Sequence, residues 1–182
     1  MPDQVSLPEK LLIGTRREFM VESLIPNASR LEDLSQITDE RRLLCFTLPA
    51  WQRPEVWNYA QKQRFIEGIF LGLGCGYLVA NGRDWCSDGS PMPMSGWLID
   101  GQQRVSSIRD FINGDLEIFN GIRFADLDEP TRTRRFWRVP FPHFELDYVD
   151  DERILQELYD RLNFGGTPHL PEHRLQLSPL LV

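Results

Sequence analysis

Residues 97–108 read Trp97-Leu98-Ile99-Asp100-Gly101-Gln102-Gln103-Arg104-Val105-Ser106-Ser107-Ile108, and the fold is decided by how this stretch is read. Three apolar residues run into an acid and a glycine, then come two amides, an arginine and the start of an apolar period. That pattern is a strand entering a tight turn and leaving it as a helix. Polar side chains gather where a helix N-terminus leaves backbone N–H groups unpaired, a place that suits anions. The helix carries Val105, Ile108, Phe111 and Ile112 on one face and closes at Asn113-Gly114.

Upstream, Leu43 to Leu48 reads as a strand stopped by Pro49, followed by an aromatic-rich turn from Trp51 to Trp57 that carries Arg53. Asn58, with Gln61 three residues on, forms a capping box for a helix to about Leu71, with Tyr59, Phe65, Ile66, Ile69 and Phe70 as its apolar face. Gly72, Gly74 and Gly76 end it, Tyr77–Ala80 reads as a second strand, Asn81-Gly82 as a turn and residues 83–96 as a surface loop. Residues 1–42 read as a loosely structured arm with a short helix around 30–36. Downstream, Asn120-Gly121 between two short apolar runs is the strongest hairpin signal, and Asp128 caps a helix to about Phe136 that admits Pro130 in its first turn. Arg138–Leu146 is extended and proline-broken, which suits an edge strand. A last helix from about Asp151 to Leu162 buries Ile154, Leu155, Leu158 and Leu162 and stops at Gly165-Gly166.

Strand and helix readings thus alternate along the chain. The 182 residues suit one domain, and 41% hydrophobic with 26% charged residues is ordinary for a globular chain. The longest uncharged run, Gly68 to Gly82, is too short and glycine-rich to span a bilayer, and no secretory signal pattern opens the chain, so a cytoplasmic protein without membrane contact is expected. Cys45, Cys75 and Cys86 form no Cys-x-x-Cys pair, which argues for reduced thiols. With a net charge of −7 the surface as a whole repels nucleic acid, so DNA contact needs a local basic patch or a partner subunit.

In the Asp-Gly-Gln-Gln-Arg turn, Gly101 lets backbone approach a phosphate, Arg104 offers a planar fork for its oxygens, and Asp100 can hold a metal ion or orient water. The same residues also read as a polar turn with a salt bridge and a helix cap. Arg53 is a second arginine for the same anion. Trp51 and Trp57 are either stacking surfaces for a base or core anchors. The run from Arg161 to Thr167 is by itself a helix C-cap. Arg132, Arg134, Arg135 and Arg138, interleaved with Phe136 and Trp137, form the one basic-aromatic cluster, read as a nucleic-acid contact or a solvated helix face. His143, His169 and His173 lack metal spacing, with Pro171 breaking any helix that would aim the last two at one ion. Ser106 and Ser107 lack the Gly-x-Ser-x-Gly elbow, and no Walker-type or Gly-x-Gly-x-x-Gly loop occurs.

The order of the pieces adds to this. Leu48-Pro49-x-x-Gln52-Arg53-Pro54-x-x-Trp57, then Phe65-Ile66-Glu67, Ile99-Asp100-Gly101-Gln102-Gln103-Arg104 and Leu162-Asn163-x-Gly165-Gly166-Thr167-Pro168 together resemble the N-terminal domain of GmrSD-type modification-dependent restriction enzymes, a family of the ParB/sulfiredoxin-like superfamily. The resemblance covers about residues 43–174, between the arm and a tail at 175–182. It implies an α/β (α+β), ParB/sulfiredoxin-like single domain, a small mixed sheet flanked by helices, that binds, and in several members hydrolyses, a nucleoside triphosphate with Mg²⁺, coupled to DNA cleavage in phage defence. GTP, CTP, UTP and ATP are not distinguished. Carried onto this chain, Asp100, Gln103 and Arg104 are the catalytic residues, with Asp100 also the metal ligand. Gln52, Arg53, Gly101, Gln102, Asn163, Gly165, Gly166 and Thr167 hold the nucleotide. Two departures stand out: Phe164 occupies a position where a small polar residue is more usual, and the chain ends at Val182 without a His-Asn-His nuclease module. Cleavage by this polypeptide itself is therefore not expected; the chain reads as a stand-alone domain, a subunit that works with a nuclease partner, or a piece of a longer protein, with self-association left open. Two further readings are a ParB-like DNA-binding or regulatory adaptor switched by nucleotide and a direct metal-dependent nuclease.

Overall fold

The structure, a computed structural model, describes residues 9–26 and 41–164. Its first strand, β1 (Gly14–Met20), lies in what the sequence suggests is a loose arm. All seven residues are exposed, so no alternation marks the strand, and it is held by pairing along its whole length with β6 (Pro140–Leu146), from Gly14 opposite Leu146 to Met20 opposite Pro140. A 3₁₀ turn at Val21–Leu24 then buries both of its end residues completely. The helix expected near 30–36 lies outside the described residues.

The single strand expected at 43–48 is a tight ribbon of β2 (Arg42–Leu43) and β3 (Phe46–Thr47), with Leu44 at φ 54° in the turn and the Cys45 N–H donating to the Leu24 carbonyl at 3.0 Å. Helix α1 (Tyr59–Phe70) starts on the expected capping box: Asn58 accepts from the Gln61 N–H at 3.0 Å, and Gln61 accepts from the Asn58 N–H at 2.9 Å. Ile66, Ile69 and Phe70 are buried, whereas Tyr59, placed on the same face by spacing, is exposed. Strands β4 (Leu78–Ala80) and β5 (Leu98–Asp100) are antiparallel, and β5 leads through Gly101 into α2 (Gln102–Asn113), which ends at Gly114 in the left-handed region.

The Asn120-Gly121 turn closes only a single bridge, Ile118 with Ile122, in place of a two-stranded hairpin. Asp128 caps α3 (Glu129–Arg132) by accepting from the Thr131 N–H at 2.7 Å, and the helix widens into a π-helical turn at Thr133–Trp137 that buries Phe136. Phe136 packs on Phe70, Phe111, Phe124 and Trp137. Burial of one such ring stabilises the fold by about 1.5–3 kcal/mol.

Strand β6 is not at the edge. The sheet runs β1-β6-β4-β5, with β6 antiparallel to β1 and parallel to β4. Pro140 and Pro142 are tolerated because β4 begins to pair only at His143, opposite Leu78. Asn81, expected in a surface turn, is buried; its amide donates to the Met94 and Val149 carbonyls at 3.0 Å and its oxygen accepts from the Val149 N–H.

Alternation along the strands gives the sheet two buried faces. Leu78, Ala80, Leu98 and Phe141 join the larger core beneath α1 and α2, and Val79, Ile99 and Leu146 join a second cluster with Leu155 and Leu158 of α4 (Glu152–Phe164). Ile154, expected in that core, is 40% exposed. The result is the expected α/β class: a small mixed sheet between helices. Among the described residues no helix is long and apolar enough to cross a membrane.

Candidate anion-binding site at the strand-to-helix turn

The turn between β5 and α2 is built on Gly101, whose φ is 108° and whose α-carbon faces Leu78, so that a Cβ there would collide with the Leu78 side chain. No side chain caps the α2 N-terminus, which leaves its first N–H groups, and the positive end of its dipole, directed at whatever lies in front. In front is a polar cavity of about 180 Å³ lined by Gln52, Arg53, Trp57, Asp100, Gly101, Gln102, Gln103, Arg104, Tyr159 and Asn163. Three stretches far apart in sequence thus meet in one hollow. Gly165, Gly166 and Thr167, expected to close it, lie outside the described residues.

Each wall is fixed by its own chemistry. Arg104 donates to Asp100 Oδ2 at 2.7 Å and to the Tyr77 carbonyl at 2.9 Å, which orients both groups and ties the turn to the start of β4. Gln103 accepts the backbone N–H groups of Val56 and Trp57, both at 2.9 Å, so its carbonyl holds the Gln-Arg-Pro segment against α2. That segment is also fastened by ions: Lys62 donates to Glu55 at 2.7 Å and to Asp110 at 2.6 Å, and Arg109 reaches Glu55 at 3.0 Å and Asp110 at 2.7 Å. Burial disfavours the Lys62 ammonium, but hydrogen bonds to Asp110 and Glu55 outweigh it and hold its pKa above the usual lysine value. On the remaining wall Asn163 donates to the Tyr159 carbonyl at 2.9 Å, one helical turn back on α4.

Against this satisfied scaffold, three buried polar atoms of the lining residues have no hydrogen-bond partner: Gln52 Oε1, Gln103 Nε2 and Arg104 Nε. Such atoms each cost about 1–3 kcal/mol unless something binds them, and native structures hold few. Two donors and an acceptor around a hollow at a helix N-terminus can take an oxyanion together with a polar group attached to it. The metal expected at Asp100 has a thin protein donor set, since no group of three His, Cys, Asp or Glu side chains comes together among the described residues. One carboxylate suffices for Mg²⁺ only where phosphate oxygens and water supply the other ligands.

Other candidates resolve differently. Trp51 is an anchor, donating to Glu152 at 2.8 Å and meeting Tyr159 and Trp97 edge-on, while Trp57 does line the cavity. Ser106 and Ser107 donate to the Gln103 carbonyl inside the helix. Burial pushes the Cys75 thiol up to about 12 against the opposing charge of Arg104, so it stays protonated at neutral pH and is no nucleophile. Arg132 donates to the Ala125 carbonyl and lies over the Phe124 ring, and Arg135 donates to the Phe70 carbonyl, so two of the four clustered guanidiniums are spent on the fold. Arg134 and Arg138 are exposed. Tyr159 and the Glu55–Lys62–Asp110–Arg109 network escaped the reading of the sequence; the (i, i+4) spacing of Tyr159 and Asn163 on one helix is the signal that would have found the tyrosine.

These features define an α/β domain whose strand-to-helix turn opens on a preorganised polar cavity. The family model described as "GmrSD restriction endonuclease, N-terminal domain" matches residues 31–137. The chain belongs to that family, which sets it in the context of DNA restriction. Neither the curated proteins nor the solved structures compared with the chain contain a match.

Proposed function

We propose that the cavity binds the phosphates of a nucleoside triphosphate and supports its hydrolysis, in the service of DNA restriction and phage defence. The observation that carries this reading is the set of unpartnered buried atoms on Gln52, Gln103 and Arg104 around the uncapped start of α2. Phosphate oxygens are the ligands such donors favour, with the helix dipole adding to the attraction. Arg53, exposed at the rim, adds a second positive charge. Mg²⁺ would enter on the phosphates, with Asp100 as its protein ligand, and would offset charge on them.

In hydrolysis a water oxygen bonds to the terminal phosphorus, the bridging P–O bond breaks, and the nucleoside diphosphate leaves with the electron pair. One of the water's protons stays on the attacking oxygen and the other passes to a phosphate oxygen, so both leave on the released phosphate. Asp100, held by Arg104, orients the water, and the Arg104 and α2 N–H groups stabilise charge on the transferring phosphoryl group. The test is a nucleotide panel with Mg²⁺, read by melting shift and phosphate release. Binding should be lost in Asp100→Ala and Arg104→Ala, and weakened in Gln102→Ala, whose side chain makes no hydrogen bond among the described residues. If no triphosphate shifts the melting temperature, or all three variants match wild type, the proposal fails.

A further inference from the structure

A second hollow, of about 580 Å³, shares no residue with the phosphate cavity; it is lined by Arg41, Thr47, residues 90–95, Trp97 and Glu152. Two of its polar groups are buried and unpartnered: Thr47 Oγ1, on a residue only 3% exposed, and one terminal guanidinium nitrogen, Nη2, of Arg41. Arg41 is held in place, its Nε donating to the Leu48 carbonyl at 2.8 Å and its guanidinium 5.4 Å from the Trp97 ring centre. Opposite in charge, Glu152 presents a carboxylate that accepts from Trp51 through one oxygen. The rest of the lining is flat or adaptable: Pro91, Met92, Pro93, Met94 and Trp97. Met94 itself is held at φ 63°, a conformation that costs a non-glycine residue energy and recurs at ligand sites.

A simple anion would satisfy Arg41 and Thr47 but meet Glu152, and a simple cation the reverse. We infer that this hollow is a nucleobase site, in which ring carbonyl or ring nitrogen acceptors meet Arg41 Nη2 and Thr47 Oγ1, an exocyclic amine or ring N–H donates to Glu152, and proline, methionine and Trp97 surfaces cover the faces. A heteroaromatic base is the ligand that carries both edges and apolar faces in one rigid plane. The site stands whether or not a triphosphate occupies the Asp100 cavity. Its base comes either from a free nucleotide or from a nucleotide turned out of DNA, and the two sources share this chemistry.

The experiment uses the whole chain. Adenosine, guanosine, cytidine and thymidine, which carry no phosphate, are titrated with tryptophan fluorescence and ligand-observed NMR as readouts, in the absence and presence of tripolyphosphate. A duplex with one unpaired base is titrated beside its fully paired control. At least one nucleoside, or the unpaired-base duplex over its control, should bind, and tripolyphosphate should not displace it. Thr47→Val, which removes the unpartnered hydroxyl without changing shape, should fold at least as well as wild type and bind roughly five- to tenfold more weakly, the amount one net hydrogen bond supplies. Glu152→Gln should change which base is preferred. Nucleoside binding alone assigns the free nucleotide as source, and preference for the unpaired duplex assigns DNA. Absence of both, displacement by tripolyphosphate, or full affinity in a folded Thr47→Val protein overturns the assignment; the first and last leave phosphate binding at Asp100 untouched, and displacement would put the nucleoside in the phosphate cavity instead.

Discussion

Gly101→Ala tests the turn on which the cavity is built, because two separable costs fall on it. A non-glycine residue at φ 108° pays for a conformation that L side chains rarely adopt, about 1–3 kcal/mol. The added methyl also drives into the Leu78 side chain, with Leu78 Cγ at 3.5 Å behind the first contact. Leu78 is fully buried beneath the sheet, so it can move only by repacking its neighbours, about 1–3 kcal/mol more. Gly114, at the other end of the same helix, is the internal control: its φ is 84° and a Cβ there meets nothing within 4 Å. Gly114→Ala, which carries the backbone term alone, should therefore cost about 1–3 kcal/mol and Gly101→Ala roughly 2–6 kcal/mol, measured as the shift of the urea midpoint at constant slope. Equal losses in the two variants would show that Leu78 does not press on the turn, and the account of why glycine stands before α2 would be wrong.

Three further outcomes follow from the same contacts. Gln103→Leu leaves the Val56 and Trp57 N–H groups without their acceptor and should cost about 2 kcal/mol, with added protease cleavage near residues 53–57; unchanged cleavage would remove Gln103 as the fastener of that segment. Burial pushes the His143 imidazole below its ordinary value of 6.5, only partly offset by its contact with the Phe141 carbonyl. Because the unfolded chain binds the proton more readily, His143 contributes full stability above pH 6.5 and loses it as pH falls towards its depressed folded value. The stability of His143→Phe relative to wild type should therefore rise on acidification over that range, and a difference independent of pH would refute it. In thiol labelling at pH 8, Cys86 should react first and the buried Cys45 and Cys75 only on unfolding; rapid modification of Cys75 in the folded protein would contradict its packing.

Much of the helical frame was legible because helices announce themselves locally. The Asn58–Gln61 box, the Val105–Ile108–Phe111 stripe and the Asp128 cap each lie within one or two turns. The sheet was less so. Strand β1 buries no face, so its seven residues show no alternation, and only its distant partner β6 reveals it. Pro140 and Pro142 pointed to an edge, but their missing donors fall just outside the stretch that β4 pairs. Asn81 looked like a turn residue, and nothing local shows that its amide spans Met94 and Val149. The cavity residues were found as three separate motifs, while the atoms that give the cavity its chemical character, unpartnered Gln52 Oε1, Gln103 Nε2 and Arg104 Nε, exist only once those motifs are brought together.

That difference bears on what the fold spends its hydrogen bonds on. Gln103 and Arg104 each carry several polar atoms, and the scaffold uses one of them on each, the Gln103 side-chain carbonyl for Val56 and Trp57 and Arg104 Nη2 for Asp100 and Tyr77, while Gln103 Nε2 and Arg104 Nε stay buried without a partner. The bonds that are made fix side-chain position, and the groups left over carry a cost that a bound oxyanion would remove. A site of this kind binds without first reorganising, because the orientation of each donor has already been set by a contact to backbone. It also links the pocket to the rest of the chain: the Tyr77 carbonyl joins Arg104 to β4, Val56 and Trp57 join Gln103 to α1 through the Glu55–Lys62–Asp110 ions, and Tyr159 joins the far wall to Trp51. A ligand that draws on Arg104 or Gln103 would therefore act on groups that already hold β4, the 53–57 segment and α2 in register.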